Sequence, residues 1–167
     1  GVASAVISGV PSCDDDFFIS PVFTLCEGVS ATRPNTSGEN LARCMQKAST
    51  AKTDVVIAHG TGTHYNDMTE SRAIRKSFQQ DKPRITCSKW STGHSLGASG
   101  LVDLCIASEM IKRQIIPGLA TLKESDLEVS DWLNQTNQES PVNNVTISSL
   151  GFGGMCSALQ LQKRTSQ

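Results

Sequence analysis

Four short apolar runs, separated by stretches of helical period, constrain this chain more than any other feature. They are Asp54–Ala58, Arg84–Ser88, Val145–Leu150 and Cys156–Gln162, and Ala3–Ser8 reads as a fifth. Short apolar runs bounded by polar residues suit strands buried on both faces of a sheet. Between them, a helix beginning at Ser37 or Gly38 places Leu41, Met45 and Ala48 on one face. A second is expected over Asp67–Gln79, capped by Asn66 or Asp67, with Arg72, Arg75 and Lys76 in the half where the dipole favours cations. The longest is expected over Ser95–Arg113. Pro11 to about Ser37 reads as loop, and Ile115 to Thr121 leads into a polar, acidic stretch ending near Asn144 that reads as a surface excursion. Strands alternating with helices, then a hairpin closed by Gly151-Phe152-Gly153-Gly154, predict an α/β fold with a mostly parallel sheet in one domain over residues 1–167.

Charge removes several function classes. Fifteen Lys+Arg against 16 Asp+Glu leave a net charge of −1, which provides no field for nucleic acid or an anionic membrane. No apolar run approaches the roughly 20 residues of a membrane span. The start at Gly1 has no methionine and no basic segment, so a cut or processed fragment is expected rather than a secreted chain. Cys13, Cys26, Cys44, Cys87, Cys105 and Cys156 form no C-x-x-C pair and read as reduced structural thiols of a cytoplasmic protein. The N-x-S/T matches at Asn35, Asn134 and Asn144 carry no weight without a signal peptide.

Ligands of open α/β sheets bind beyond the carboxyl ends of the strands. His59 follows one such end, Lys89 follows the next, and His94 comes five residues later. Small residues follow both histidines and let backbone approach a ligand. Two imidazoles and an ammonium at one sheet edge suit a developing oxyanion or enolate. Gly93-His94-Ser95-Leu96-Gly97 also matches the G-x-S-x-G nucleophile elbow, but the serine does not directly follow a strand and no histidine comes after it. A metal site from His59, His64, His94 and a cysteine fits no standard zinc spacing, so neither metal nor cofactor is expected. Gly60-Thr61-Gly62-Thr63 lacks the G-K-[ST] of a phosphate loop.

Taken together, Ala58-His59-Gly60-Thr61-Gly62-Thr63 with Asn66-Asp67 and Glu70, then Ser88-Lys89 with Thr92-Gly93-His94 and Gly97-Ala98-Ser99-Gly100, then Gly151-Phe152-Gly153-Gly154, resemble three signatures of the β-ketoacyl synthases, in order and over nearly the whole chain. That family joins an acyl and a malonyl thioester, usually on acyl carrier protein, by decarboxylative condensation. The resemblance implies the C-terminal half of a thiolase-like fold, a five-stranded mixed sheet in an α/β/α arrangement. It implies that His59 and His94 bind the malonyl carbonyl, that Lys89 sets local charge, and that Thr61 and Thr63 lie near the pantetheine arm. Phe152 and Gly153 match the gating turn, and Asp103 and Glu70 match supporting positions. The His-His pair places the chain with the elongating rather than the initiating branch.

Departures are expected to matter. Asp103 stands for the family's glutamate, one methylene shorter, so its contact with Lys89 is expected to need a water or a backbone shift. Met155-Cys156 replaces a Thr-Asn pair beside the gate. The family's nucleophilic cysteine belongs to an N-terminal half, and none of the six cysteines here has its D-x-A-C-[SA] setting, so the chain is expected to be inactive alone. The long helix is expected to be the buried layer between the halves, with self-association or dependence on the missing half as the consequence. Two readings remain from different classes: half of a catalytic condensing enzyme, or a non-catalytic partner of the chain-length-factor kind.

Overall fold

The computed structural model describes residues 4–5, 16–125 and 127–164. Its strands are β1 (Phe17–Ile19), β2 (Phe23–Cys26), β3 (Val55–Ile57), β4 (Arg84–Thr86), β5 (Ile115–Ile116), β6 (Gln138–Glu139), β7 (Asn144–Gly151) and β8 (Met155–Lys163). Its helices are α1 (Glu39–Ala48), α2 (His64–Phe78), α3 (Lys89–Thr92) and α4 (Ser99–Arg113). The main sheet runs β1-β8-β7-β3-β4, with β2 also on β8. β3, β4 and β7 are parallel to one another, while β8 runs antiparallel to β7. The closing hairpin and the mixed, helix-flanked sheet are as the sequence predicts.

Among the described residues the sheet is five lanes wide but holds six strands, because β1 and β2 share the outer lane along β8. The expected strand at Ala3–Ser8 falls outside the described residues apart from Ser4 and Ala5, neither of which is in a strand. β1 and β2 instead lie in the segment read as loop. Pro21 hides them, since proline cannot donate to a ladder and breaks the lane. Ser20 repairs the gap: its N–H donates to the Gln160 carbonyl, and its hydroxyl accepts the Gln160 N–H.

Both faces of β3 are covered, as its continuous apolar run requires. Val56 and Ala58 join Leu41, Met45, Ile74 and Phe78 from α1 and α2. Val55 and Ile57 join Ala107, Met110 and Ile111 from α4. α1 presses on α2 at Gly38, where a Cβ would stand 2.6 Å from the Thr69 carbonyl oxygen.

Three expectations need correction. α2 begins at His64, with Thr63 at the cap, so Asn66 and Asp67 lie inside its first turn. α4 begins at Ser99, after a short 3₁₀ turn over Leu96–Ala98, and is no longer than α2. The polar stretch between Thr121 and Asn144 is not a surface excursion throughout: β6 pairs with β5, and Val129 and Trp132 are buried in the core with α1 and α2. Its apolar residues are too sparse to show a period, yet Val129, Trp132 and Val142 fill places in the core.

Candidate active site

Parallel pairing brings the predicted residues to one edge of the sheet. Ile57 is in register with Thr86 and with Ile147, so the segments after β3, β4 and β7 leave the sheet together. His59 and Gly60 leave β3, Ser88 and Lys89 leave β4, and the Phe152 turn leaves β7. His94 lies on the loop after α3, where Gly93 has φ +74°.

His59 and His94 meet edge to face, with ring centroids 5.2 Å apart and planes at 79°. His59 is buried; His94 is exposed. The His94 Nδ1 accepts the N–H of Leu96 at 3.1 Å, so the neutral ring carries its proton on Nε2 and can donate outward. Leu96 presents that N–H from a left-handed backbone, φ +53°. Burial, then the Lys89 ammonium, then His94 push the His59 pKa down to about 4. His59 is therefore neutral in the ordinary working range.

Glu70 on α2 holds the end of β3 in place. One carboxylate oxygen accepts the His59 N–H at 2.7 Å and the Ser148 hydroxyl at 3.0 Å. The other accepts the Gly60 N–H at 2.7 Å and the Asn66 side-chain amide at 2.9 Å. Burial raises the Glu70 pKa, and these four donors offset part of that rise.

Lys89 is buried and its Nζ lies 3.6 Å from an Asp103 carboxylate oxygen, with side chains only 4% and 2% exposed. The two groups form an ion pair in the fold. It falls outside hydrogen-bond reach, and Nζ has no hydrogen-bond partner among the described residues. The missing methylene of Asp103 shows there. Its other oxygen accepts the Ser88 hydroxyl.

Thr61 and Thr63 share a hydrogen bond at 3.1 Å between their hydroxyls. Thr61 also lines a largely apolar cavity of about 300 Å³ with Lys89, Cys87, Trp90 and Leu119; neither His59 nor His94 lines it. Phe152 is 82% exposed on the turn between β7 and β8. His64 stands apart on α2 with its ring edge on Tyr65. Among the described residues no group of three or more His, Cys, Asp or Glu side chains could hold a metal ion. Burial pushes the Cys87 thiol up to about 11 and the Cys156 thiol up to about 12, so both are protonated and unreactive.

A family described as beta-ketoacyl synthase, C-terminal domain, matches residues 19–123. The chain belongs to this family. As a ketosynthase C-terminal domain it is 33% identical over 132 residues to 3-oxoacyl-(acyl-carrier-protein) synthase 1 of Escherichia coli strain K12, covering 76% of this chain and 32% of that protein. It is 36% identical over 134 residues to the synthase of the same name from Buchnera aphidicola, again covering 76% of this chain and 32% of the relative. The chain thus spans about a third of the length of the curated relatives it matches. A beta-ketoacyl synthase from Burkholderia phymatum STM815 superposes with a TM-score of 0.78 at 26% identity, covering 88% of this chain and 37% of that one. The thiolase-like α/β architecture is shared.

Sequence reasoning did not find Ser148 in this ketosynthase domain, because an isolated serine within a strand carries no pattern. Two predictions arise from the site. Replacing Gly60 by alanine should destabilise the fold by about 2–4 kcal/mol, combining backbone strain with overpacking. Gly60 has φ +52°, and a Cβ there would stand 2.6 Å from the Cys87 Cβ. Chemical denaturation measures this directly.

The second concerns pH. An unfolded histidine titrates near 6.5, whereas His59 in the fold titrates near 4. Between those values the unfolded state binds more protons, so the contribution of His59 is complete above 6.5 and is lost as pH falls toward 4. The loss is on the order of 3 kcal/mol. Denaturation from pH 7 to 4.5 should show a shallower decline for His59→Gln than for the native chain; equal declines would refute it.

Proposed function

We propose that this chain supplies the decarboxylating half of a β-ketoacyl synthase active site. The observation that carries the reading is the His59–His94 pair, 5.2 Å between ring centroids, with the His94 proton on its outward Nε2. In this reading the bond between the malonyl α-carbon and its carboxylate breaks and CO₂ leaves. The electron pair moves into the thioester carbonyl, whose oxygen is met by neutral imidazole donors. The enolate carbon then attacks an acyl thioester, and the thiolate that held the acyl group departs. That thiolate comes from an N-terminal half, because this chain has no cysteine in the family's nucleophile setting. Burial first, and the positive charge of Lys89 second, keep the His59 ring neutral.

Phosphopantetheine thioesters on acyl carrier protein are the proposed substrates, with Thr61 and Thr63 along the arm and Phe152 and Gly153 as the gate. A type II PKS ketosynthase of the same fold has been solved in complex with its acyl-carrier protein, which supports that partner. No helix among the described residues is long and apolar enough to cross a membrane, and the proposed setting is the cytoplasm. A non-catalytic chain-length-factor-like role is the alternative. It is favoured by fold neighbours that include ketosynthase and chain length factor pairs, but such a role gives no use for His59, Lys89 and His94 together.

The test is CO₂ release from a malonyl thioester of acyl carrier protein, using the complete protein that contains this chain. Histidine-dependent release supports the reading, and no release in the presence of a reactive N-terminal cysteine would end it. Covalent labelling of Ser95 by a fluorophosphonate would instead point to a hydrolase.

A further inference from the structure

The turn carrying Phe152 is held from one side. Gly153 and Gly154 have φ of +80° and +74°, and a Cβ on Gly153 would meet nothing. The support comes from residues 26–31. The Gly153 N–H donates to the Ala31 carbonyl at 2.8 Å, and the Glu27 N–H donates to the Gly154 carbonyl at 2.9 Å. The Cys26 thiol donates to the Gly153 carbonyl at 3.2 Å. Gly154 packs so closely on this segment that a Cβ would stand 3.2 Å from that of Glu27.

Two of those contacts join backbone to backbone and are available to almost any residue. The thiol of Cys26 is different, because its donor depends on the side chain. Cys156 also directs a thiol at the turn, but it reaches the Gly154 carbonyl only at 3.9 Å. Cys26 ends β2 in register with Met155, so the sheet fixes where its thiol stands. It is exposed, so replacing it opens no core.

We propose that Cys26 is a positioning residue for the Phe152 turn: its thiol sets the resting pose of the turn and thereby how readily Phe152 yields to an incoming thioester. This rests on the reading of Phe152 as a gate. A thiol is a weak donor, which suits a hold that must be released on each turnover. A hydroxyl would keep the hold, and an apolar side chain would abolish it.

The test uses the complete protein in three forms: native, Cys26→Ser and Cys26→Val. Amide hydrogen exchange over residues 151–155 should quicken about threefold in Cys26→Val and stay near native in Cys26→Ser, as loss of one weak hydrogen bond implies. The KM for the malonyl thioester should shift in Cys26→Val by a similar factor, about threefold, with Cys26→Ser restoring it. Unchanged exchange in Cys26→Val, or equal defects in both variants, overturns the proposal. Quickened exchange with an unmoved KM overturns the gating role. If the native protein released no CO₂ while exchange responded as expected, the proposed function would fail and the thiol's hold on the turn would stand.

Discussion

Replacing His94 by alanine in the complete protein should slow CO₂ release from a malonyl thioester by about 10²–10³-fold, the usual loss on removing one oxyanion donor. His94 is the clearer of the two donors, since the Leu96 N–H occupies its Nδ1 and leaves Nε2–H free. His59→Ala should fall in the same range. The double variant should lose less than the product of the two single losses, because groups that act on one oxygen are strongly non-additive. His59 should not set the acid limb of the rate profile near pH 6, because its pKa lies at about 4. Single-turnover measurement of decarboxylation separates these effects from acyl loading. Native-like release from the double variant would remove both histidines from the chemistry.

The largest expected stability effect belongs to Asp103. Its carboxylate is the partner of a buried ammonium, with both side chains at least 96% covered. Asp103→Ala leaves Lys89 charged and unpaired in the interior and should cost about 3–5 kcal/mol. Removing both charges, as Lys89→Met with Asp103→Leu, should recover much of that loss, because neither charge is then left to be desolvated. Asp103→Glu should bring a carboxylate oxygen into hydrogen-bond reach of Nζ, which has no hydrogen-bond partner among the described residues. Urea denaturation of the native chain and these three variants measures each effect. If Asp103→Ala were as stable as the native chain, the ion pair would have no structural weight.

The core strands and the site were legible in the sequence for the same reason. Asp54–Ala58 is continuous in apolar residues because Val55 and Ile57 meet α4 while Val56 and Ala58 meet α1 and α2. His59 follows it directly, so locating the strand located the residue. The misses have physical causes too. β1 and β2 form half-exposed pieces either side of Pro21, with too few residues each to display a period. Trp132 and Val129 are isolated apolar residues in a polar stretch, and only the assembled fold shows what they fill. The start of α2 was misplaced because Asn66 has the chemistry of a cap but directs its amide to Glu70 and Asp67 instead. The Cys26 contact spans 127 positions in sequence, and no local pattern could announce it.

Glu70 ties two things that are often separable. The amides of His59 and Gly60 both hang from one carboxylate on α2, and that carboxylate can receive them only while the helix is docked. A transient undocking of α2 would therefore release the first imidazole from its orientation before any strand parted. Heat inactivation and helix detachment should share one midpoint, below that for loss of the sheet. Efforts to harden such a domain would gain most at the α1–α2 contact around Gly38 and Thr69.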